Sequence, residues 1–164
     1  MKRITIFLAA LFCMLQPNAD AQVRTKGYHG SNSFIDQNLL YVGLETVHGY
    51  MFNEFFYLGA GVSISSTPLL MPLSDFELFL QGTAFVKHDR HSPLIGVKVS
   101  RVLEGEEYRM LYMSKYAVNF DLGWYFETRS GRGMSASLGI PIRVTDLNFG
   151  PNAFYPSLKY SFWF

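Results

Sequence analysis

Two histidine groups are the first places to look for chemistry in this sequence. His48 stands in "ETVHGYMFN", two residues before Tyr50, and its parity in an alternating run puts it among apolar side chains. A histidine so placed can act as general base toward a neighbouring hydroxyl nucleophile. No serine is spaced to stand beside it, and the simpler reading is an interfacial imidazole among aromatics. His88 and His91, in "KHDRHS", are close enough to share a metal ion with Asp89. A site normally needs a third or fourth ligand, so a solvated turn is the simpler reading there. "GAG" at 59–61 lies within an apolar run, where two glycines make no phosphate cradle. "GMSAS" at 133–137 ends on Ser where a nucleophile elbow needs Gly, and it too lies in a strand pattern. These sets lead us to expect no catalytic residue, cofactor or metal.

Charged residues of both signs are the other candidates. Glu45, Glu77, Asp121 and Glu127 are set against Lys98, Arg143 and Lys159, each at a position that alternates with apolar side chains. The elements that carry them are strands. Period-two alternation recurs along the chain, with turn-forming clusters between the runs. It predicts strands near 24–31, 38–51, 54–65, 75–87, 94–103, 115–127, 133–143 and 154–164. The first has the least apolar rhythm, in "GYHGSNS".

Sorting by parity separates two faces. One carries Leu44, Phe56, Leu58, Leu80, Ile95, Val97, Phe120, Leu122, Trp124, Leu138, Tyr160 and Phe162. The other is mixed and often small, with Gly59, Gly61, Gly96, Gly139, Ser63, Ser100, Ser135 and the seven charged residues. Eight such strands suggest a closed up-and-down barrel.

Alternation alone leaves open which face points inward. A soluble, lipocalin-like barrel would hold the apolar face inside, whereas an outer-membrane barrel would turn it to lipid. Glycine favours the second, because in a narrow lumen it makes room for Tyr41, Tyr57, Phe79, Phe85 and Tyr125. So does charge balance, since a buried charge persists only when paired. The connections point the same way: "FNE", "KHDRHSP" and "TRSGRG" are short, and "SNSFIDQN", "STPLLMPLSD", "LEGEEYRMLYMS" and "VTDLNFGPNA" alternate with them. An eight-stranded lumen is just wide enough for side chains to fill it, so a plug is expected and not a pore.

The first residues read as a secretory leader. "MKR" is a basic start, "ITIFLAALFCML" is an apolar run too short to span a bilayer as a helix, and Ala19-x-Ala21 offers cleavage before Gln22. Cys13, the one cysteine of the sequence, lies in that run. The expected division is therefore leader 1–21 and barrel 22–164. Without Lys2, Arg3 and Asp20, the 14 basic and 13 acidic residues fall to 12 of each. No net basic field then draws nucleic acid, and disulfide or thiolate chemistry has no residue. Aromatic residues at 16% and charged residues at 16% give an apolar surplus larger than an ordinary core hides.

The end of the chain, "SLKYSFWF", resembles the C-terminal signature of bacterial outer-membrane barrels, with Tyr160, Phe162 and Phe164 at the matching positions. In that class the assembly machinery reads this strand. The chain also resembles small outer-membrane β-barrel proteins of the Bacteroidetes, of OmpA/OmpX-like architecture. The matching residues are Lys26, Gly27, Tyr28 and Gly30, then His48, Gly49, Tyr50 and Asn53, then Phe55, Phe56, Gly59, Gly61 and Val62. The likeness covers roughly 25–65 and the last strand. It departs where "SNSFIDQN" replaces further alternating residues of strand one.

The expectation is thus an all-β, eight-stranded antiparallel up-and-down transmembrane β-barrel of the cell outer membrane, exported through the Sec pathway. A structural or surface-interaction role would run through loops at 66–74 and 104–113. Leu69, Leu70, Met71, Leu73, Tyr108, Arg109 and Tyr112 are the candidate contacts there. The expected partners are outer-membrane lipid and lipopolysaccharide, the barrel-assembly machinery during insertion, and an extracellular protein or glycan. Two other readings stay open: a lipid-modifying enzyme of the lipid A deacylase type using His48, and a soluble periplasmic barrel binding an apolar ligand.

Overall fold

The computed structural model describes residues 24–37, 41–67, 71–103, 116–128, 132–144 and 156–164. Eight antiparallel strands close in sequence order into one barrel. They are β1 (Gly27–Gln37), β2 (Tyr41–Asn53), β3 (Phe56–Thr67), β4 (Met71–Phe85), β5 (His91–Val102), β6 (Tyr116–Glu127), β7 (Gly133–Val144) and β8 (Ser157–Trp163). No helix occurs among the described residues. We call the end that holds Arg24 and Phe164 the terminal end, and the other the far end.

The strand registers determine the barrel's shape. A path from partner to partner starts at Gly27 and crosses Met51, Tyr57, Thr83, Gly96, Asp121, Gly139 and Ser157. It comes back to β1 at Gln37, ten residues beyond Gly27, so the shear is ten. That stagger, spread over eight strands about 4.8 Å apart, tilts them by about 40° and gives a backbone radius of about 8 Å. A cylinder that narrow is filled by its own side chains.

Strand one departs most from the expectation. It runs from Gly27 to Gln37, so "SNSFIDQ" is strand and not connection. The cause is pairing on both sides: Ser31–Gln37 bond to β2 on one side and to β8 on the other. Two neighbouring ladders satisfy the backbone of a segment whose side chains show little alternation. Closure extends one pair further, with Gly30 N donating to Phe164 O and Phe164 N to Gly30 O, both at 2.9 Å. "MPLSD" is likewise strand, at the start of the 15-residue β4. Three residues remain between β1 and β2 and three between β3 and β4, whereas 103–115 and 145–156 separate the later pairs. The expected contrast of long and short connections therefore holds in the second half of the chain alone.

Alternation is plainest in β5 and β8, where every second residue from Ser92 to Ser100 and from Ser157 to Trp163 is buried. Leu80, Ile95, Val99, Phe120, Leu122, Leu138 and Phe162 stand exposed on the outer face. Glu45, Lys98, Asp121 and Lys159 are buried in the lumen. The usual order of a water-soluble domain is thus reversed. Glycine supplies the room that large lumenal rings need: a Cβ at Gly61 would lie 2.5 Å from the Phe79 ring, and one at Gly133 2.5 Å from the Tyr125 hydroxyl. At the terminal end Asn53 Oδ1 accepts from the backbone N–H of Phe55 and of Phe56, both at 2.9 Å, and so shapes the β2–β3 turn.

Candidate functional site

The described lumen is filled in two layers. In the layer nearest the termini, Tyr57, Phe85, Tyr125 and Trp163 meet edge to face. The ring centroids are 5.2 Å apart for Tyr57–Trp163 and Phe85–Tyr125, and 5.7 Å for Phe85–Trp163. Val47, Met51 and Leu94 pack around them. Edge-to-face pairs of this kind contribute about 0.5–1.5 kcal/mol each beyond the area they bury. Trp163 Nε1 donates to Ser135 Oγ at 3.0 Å, so its one polar atom is satisfied. Arg24 caps the layer from below. Its guanidinium lies 5.0 Å from the Tyr125 centroid and 5.5 Å from that of Phe85, and it donates to the carbonyls of Lys87, at 2.6 Å, and Asp89. It is 6% exposed, so a cation and four rings close the terminal mouth.

The second layer is ionic. Glu45, fully buried, accepts from Lys98 Nζ on Oε2 at 2.9 Å and from Lys159 Nζ on Oε1. Lys159 also donates to Gln81 Oε1 at 2.9 Å. Lys98 lies 4.0 Å from Glu77 and 4.9 Å above the Phe79 ring. Asn119 Nδ2 donates to Asp121 Oδ1 at 2.7 Å, and Asp121 is within electrostatic reach of both lysines. Register accounts for the meeting. Gln81 pairs with Lys98 across β4–β5, and Lys98 with Asn119 across β5–β6, while the tilt brings β2 and β8 to the same height. Chemically the layer cross-braces five strands, with one buried carboxylate shared between two ammonium groups.

Of the seven charged residues expected to form an interior network, Glu45, Glu77, Lys98 and Lys159 come together, with Asp121 beside them. Glu127 does not join. It ends β6 six residues below Asp121, about 15 Å lower along the axis at this tilt. There its backbone N–H donates to Arg90 O at 2.7 Å. Arg143 pairs through its backbone with Ala117, and its side chain lies outside the described residues. So do the candidate loop residues Leu69, Leu70, Tyr108, Arg109 and Tyr112. Met71 and Leu73 belong to β4 by backbone, which makes part of that expected apolar loop strand; their side chains are outside the description.

On the outer wall, Tyr160, Phe162 and Phe164 stand exposed along β8. The Phe164 ring covers Gly30, where a Cβ would come within 2.7 Å of it. His48 is exposed on the same side of the barrel. Tyr28 Oη is 2.5 Å from its Nδ1 and Thr46 Oγ1 is 3.3 Å from its Nε2. Its ring stacks on Tyr28 and meets Phe164 edge-on, both at 6.0 Å. The hydroxyls that hydrogen-bond His48 thus come from a tyrosine and a threonine. His88 pairs with Glu54, and His91 lies against Phe126. Among the described residues no three His, Cys, Asp or Glu side chains gather as a metal site would require.

Sequence reasoning missed Arg24 and Trp163 as lumen residues. Trp163 was legible: once Tyr160, Phe162 and Phe164 face outward, parity sends Lys159, Ser161 and Trp163 inward. Arg24 lies in the predicted strand 24–31 with the parity of outward Tyr28, whereas in the structure it precedes β1 and turns into the lumen. No family model matches the chain, and no curated protein matches it.

Proposed function

We propose that the chain is an integral outer-membrane β-barrel protein of non-enzymatic, structural or surface-interaction role, akin to the small barrels of the Bacteroidetes. One observation carries this: the barrel wears most of its large apolar side chains outside and its ion cluster inside. On β6 the exposed apolar positions run from Tyr116 to Phe126. Ten residues at this tilt span about 25 Å along the axis, the height of the apolar band that such barrels present to lipid. Exposed rings at the terminal end, Tyr28, Tyr50, Phe56, Trp124, Phe126 and Phe164, suit an interfacial girdle. On this reading the terminal end is periplasmic, the connections at 103–115 and 145–156 are extracellular, and Tyr160, Phe162 and Phe164 form the strand that the assembly machinery reads. The bilayer and lipopolysaccharide meet the wall. A lumen filled by rings and by the ion cluster favours work at the outer surfaces over conduction and leaves little room among the described residues for an apolar ligand.

The test is fractionation of cells expressing the full chain, followed by gels of detergent-extracted protein with and without boiling. Recovery in the outer membrane with a shift in mobility on boiling is the expected result. A protein released without detergent and showing no shift would overturn the reading.

A further inference from the structure

Exposed cations gather at one end of the barrel. Lys26, Lys87, Arg90 and Arg132 stand at the terminal end, whereas among the described residues Arg101 alone is exposed toward the far end. Glu127 N donates to Arg90 O at 2.7 Å and Thr128 N to Arg132 O at 2.8 Å. The two arginines therefore flank the end of β6, their backbones about 10 Å apart across two strand spacings. One row above them His91 pairs with Phe126 and Phe126 with Met134, and all three side chains are exposed. Trp124 and Leu122 continue that wall upward.

The neighbouring side-chain carboxylates are engaged elsewhere or matched. Glu127 shares the lumenal parity of Asp121 and Tyr125 and acts electrostatically on Tyr125 inside the mouth. Glu54 pairs with His88. Asp89 adds one negative charge to the β4–β5 turn, which also holds Lys87. Neither Arg90 nor Arg132 has a side-chain partner among the described residues.

Resting on the outer-membrane reading above, we infer that Arg90, Arg132 and the wall above them hold the headgroup of an anionic phospholipid of the periplasmic leaflet. Guanidinium groups fork phosphate oxygens. Their stems lie along apolar surface while the charge stays at the interface. The phosphate then sits below the row of His91, Phe126 and Met134, and the acyl chains run up past Trp124 and Leu122. A zwitterionic headgroup brings a cation of its own to the same place, so the pair favours a lipid of net negative charge.

The test expresses the full chain, purifies the protein from outer membranes and reconstitutes it in bilayers that mix phosphatidylcholine with phosphatidylglycerol. One lipid or the other carries bromine on its acyl chains. Bromine quenches by contact, so Trp124 on the wall reports the neighbouring lipid, while Trp163 in the lumen gives a constant background. Brominated phosphatidylglycerol is expected to compete for the site about five- to thirtyfold better than brominated phosphatidylcholine, the effect of one or two cations at an anionic surface. Arg90→Gln with Arg132→Gln should remove that preference and keep the mobility shift on boiling. Lys26→Gln, on the β1 side of the mouth, should leave it unchanged. Equal quenching by both lipids, or a preference that survives the double substitution, overturns the lipid site and leaves the outer-membrane reading standing. So does binding to isolated peptidoglycan that needs both arginines and comes without a lipid preference. Absence of the chain from outer membranes overturns both.

Discussion

The two layers of the lumen solve one filling problem with opposite chemistry. Near the termini, Tyr57, Phe85, Tyr125 and Trp163 fill the cylinder by area and ring geometry, and any one of them can be trimmed at the expense of its own contacts. In the middle, Glu45 is shared between Lys98 and Lys159, so its loss strands two cations at once. Apolar packing degrades gradually, whereas an ion cluster fails as a unit, because a buried unpaired charge costs more than its partner's bond was worth.

Three substitutions probe that difference, each read from the urea midpoint of unfolding in detergent with Trp163 and Trp124 fluorescence. The largest effect is expected from Glu45→Leu, about 3–5 kcal/mol, since both lysines lose their shared carboxylate. Adding Lys98→Met and Lys159→Met should recover most of that loss; a triple variant no better than the single one would break the account of the cluster as a closed electrostatic unit. Arg24→Ala comes next, at about 2 kcal/mol, because the cation bonds to two carbonyls and faces two rings in a nearly dry mouth. A loss equal to that of Glu45→Leu would make the terminal layer as cooperative as the middle one. Phe85→Leu should cost least, about 1 kcal/mol, as an apolar exchange among rings that can shift. If it matched Glu45→Leu, the distinction between the layers would fall.

Parity made the two faces readable, and glycine and charge balance, not parity, pointed Lys98, Asp121 and Lys159 inward. None of these could set their heights. Glu127 shares the parity of Asp121 and still ends at the rim, because height depends on register and tilt, which come from partners on other strands. Ser31–Gln37 failed to read as strand for a related reason. Ile35 is lumenal and Asn32 faces outward, which runs against the apolar rhythm, and the segment is held by ladders to β2 and β8. Arg24 was misleading because the predicted strand 24–31 gave it the outward parity of Tyr28, while the strand starts only at Gly27 and a pair of rings on β4 and β6 draws the side chain in. His48 was singled out by type, while its partners Tyr28 and Thr46 were not. Thr46 is a same-face neighbour two residues away, but Tyr28 reaches it across the β1–β2 pairing.

The sequence by itself determined that this chain is built of strands with one apolar and one mixed face, because side-chain alternation is a local property of extended backbone. Tertiary structure alone decided that the shear is ten and that Glu45, Lys98 and Lys159 meet at one height. Those outcomes depend on closing β8 onto β1, a pairing between residues more than a hundred positions apart, and no local pattern encodes the register at which it closes.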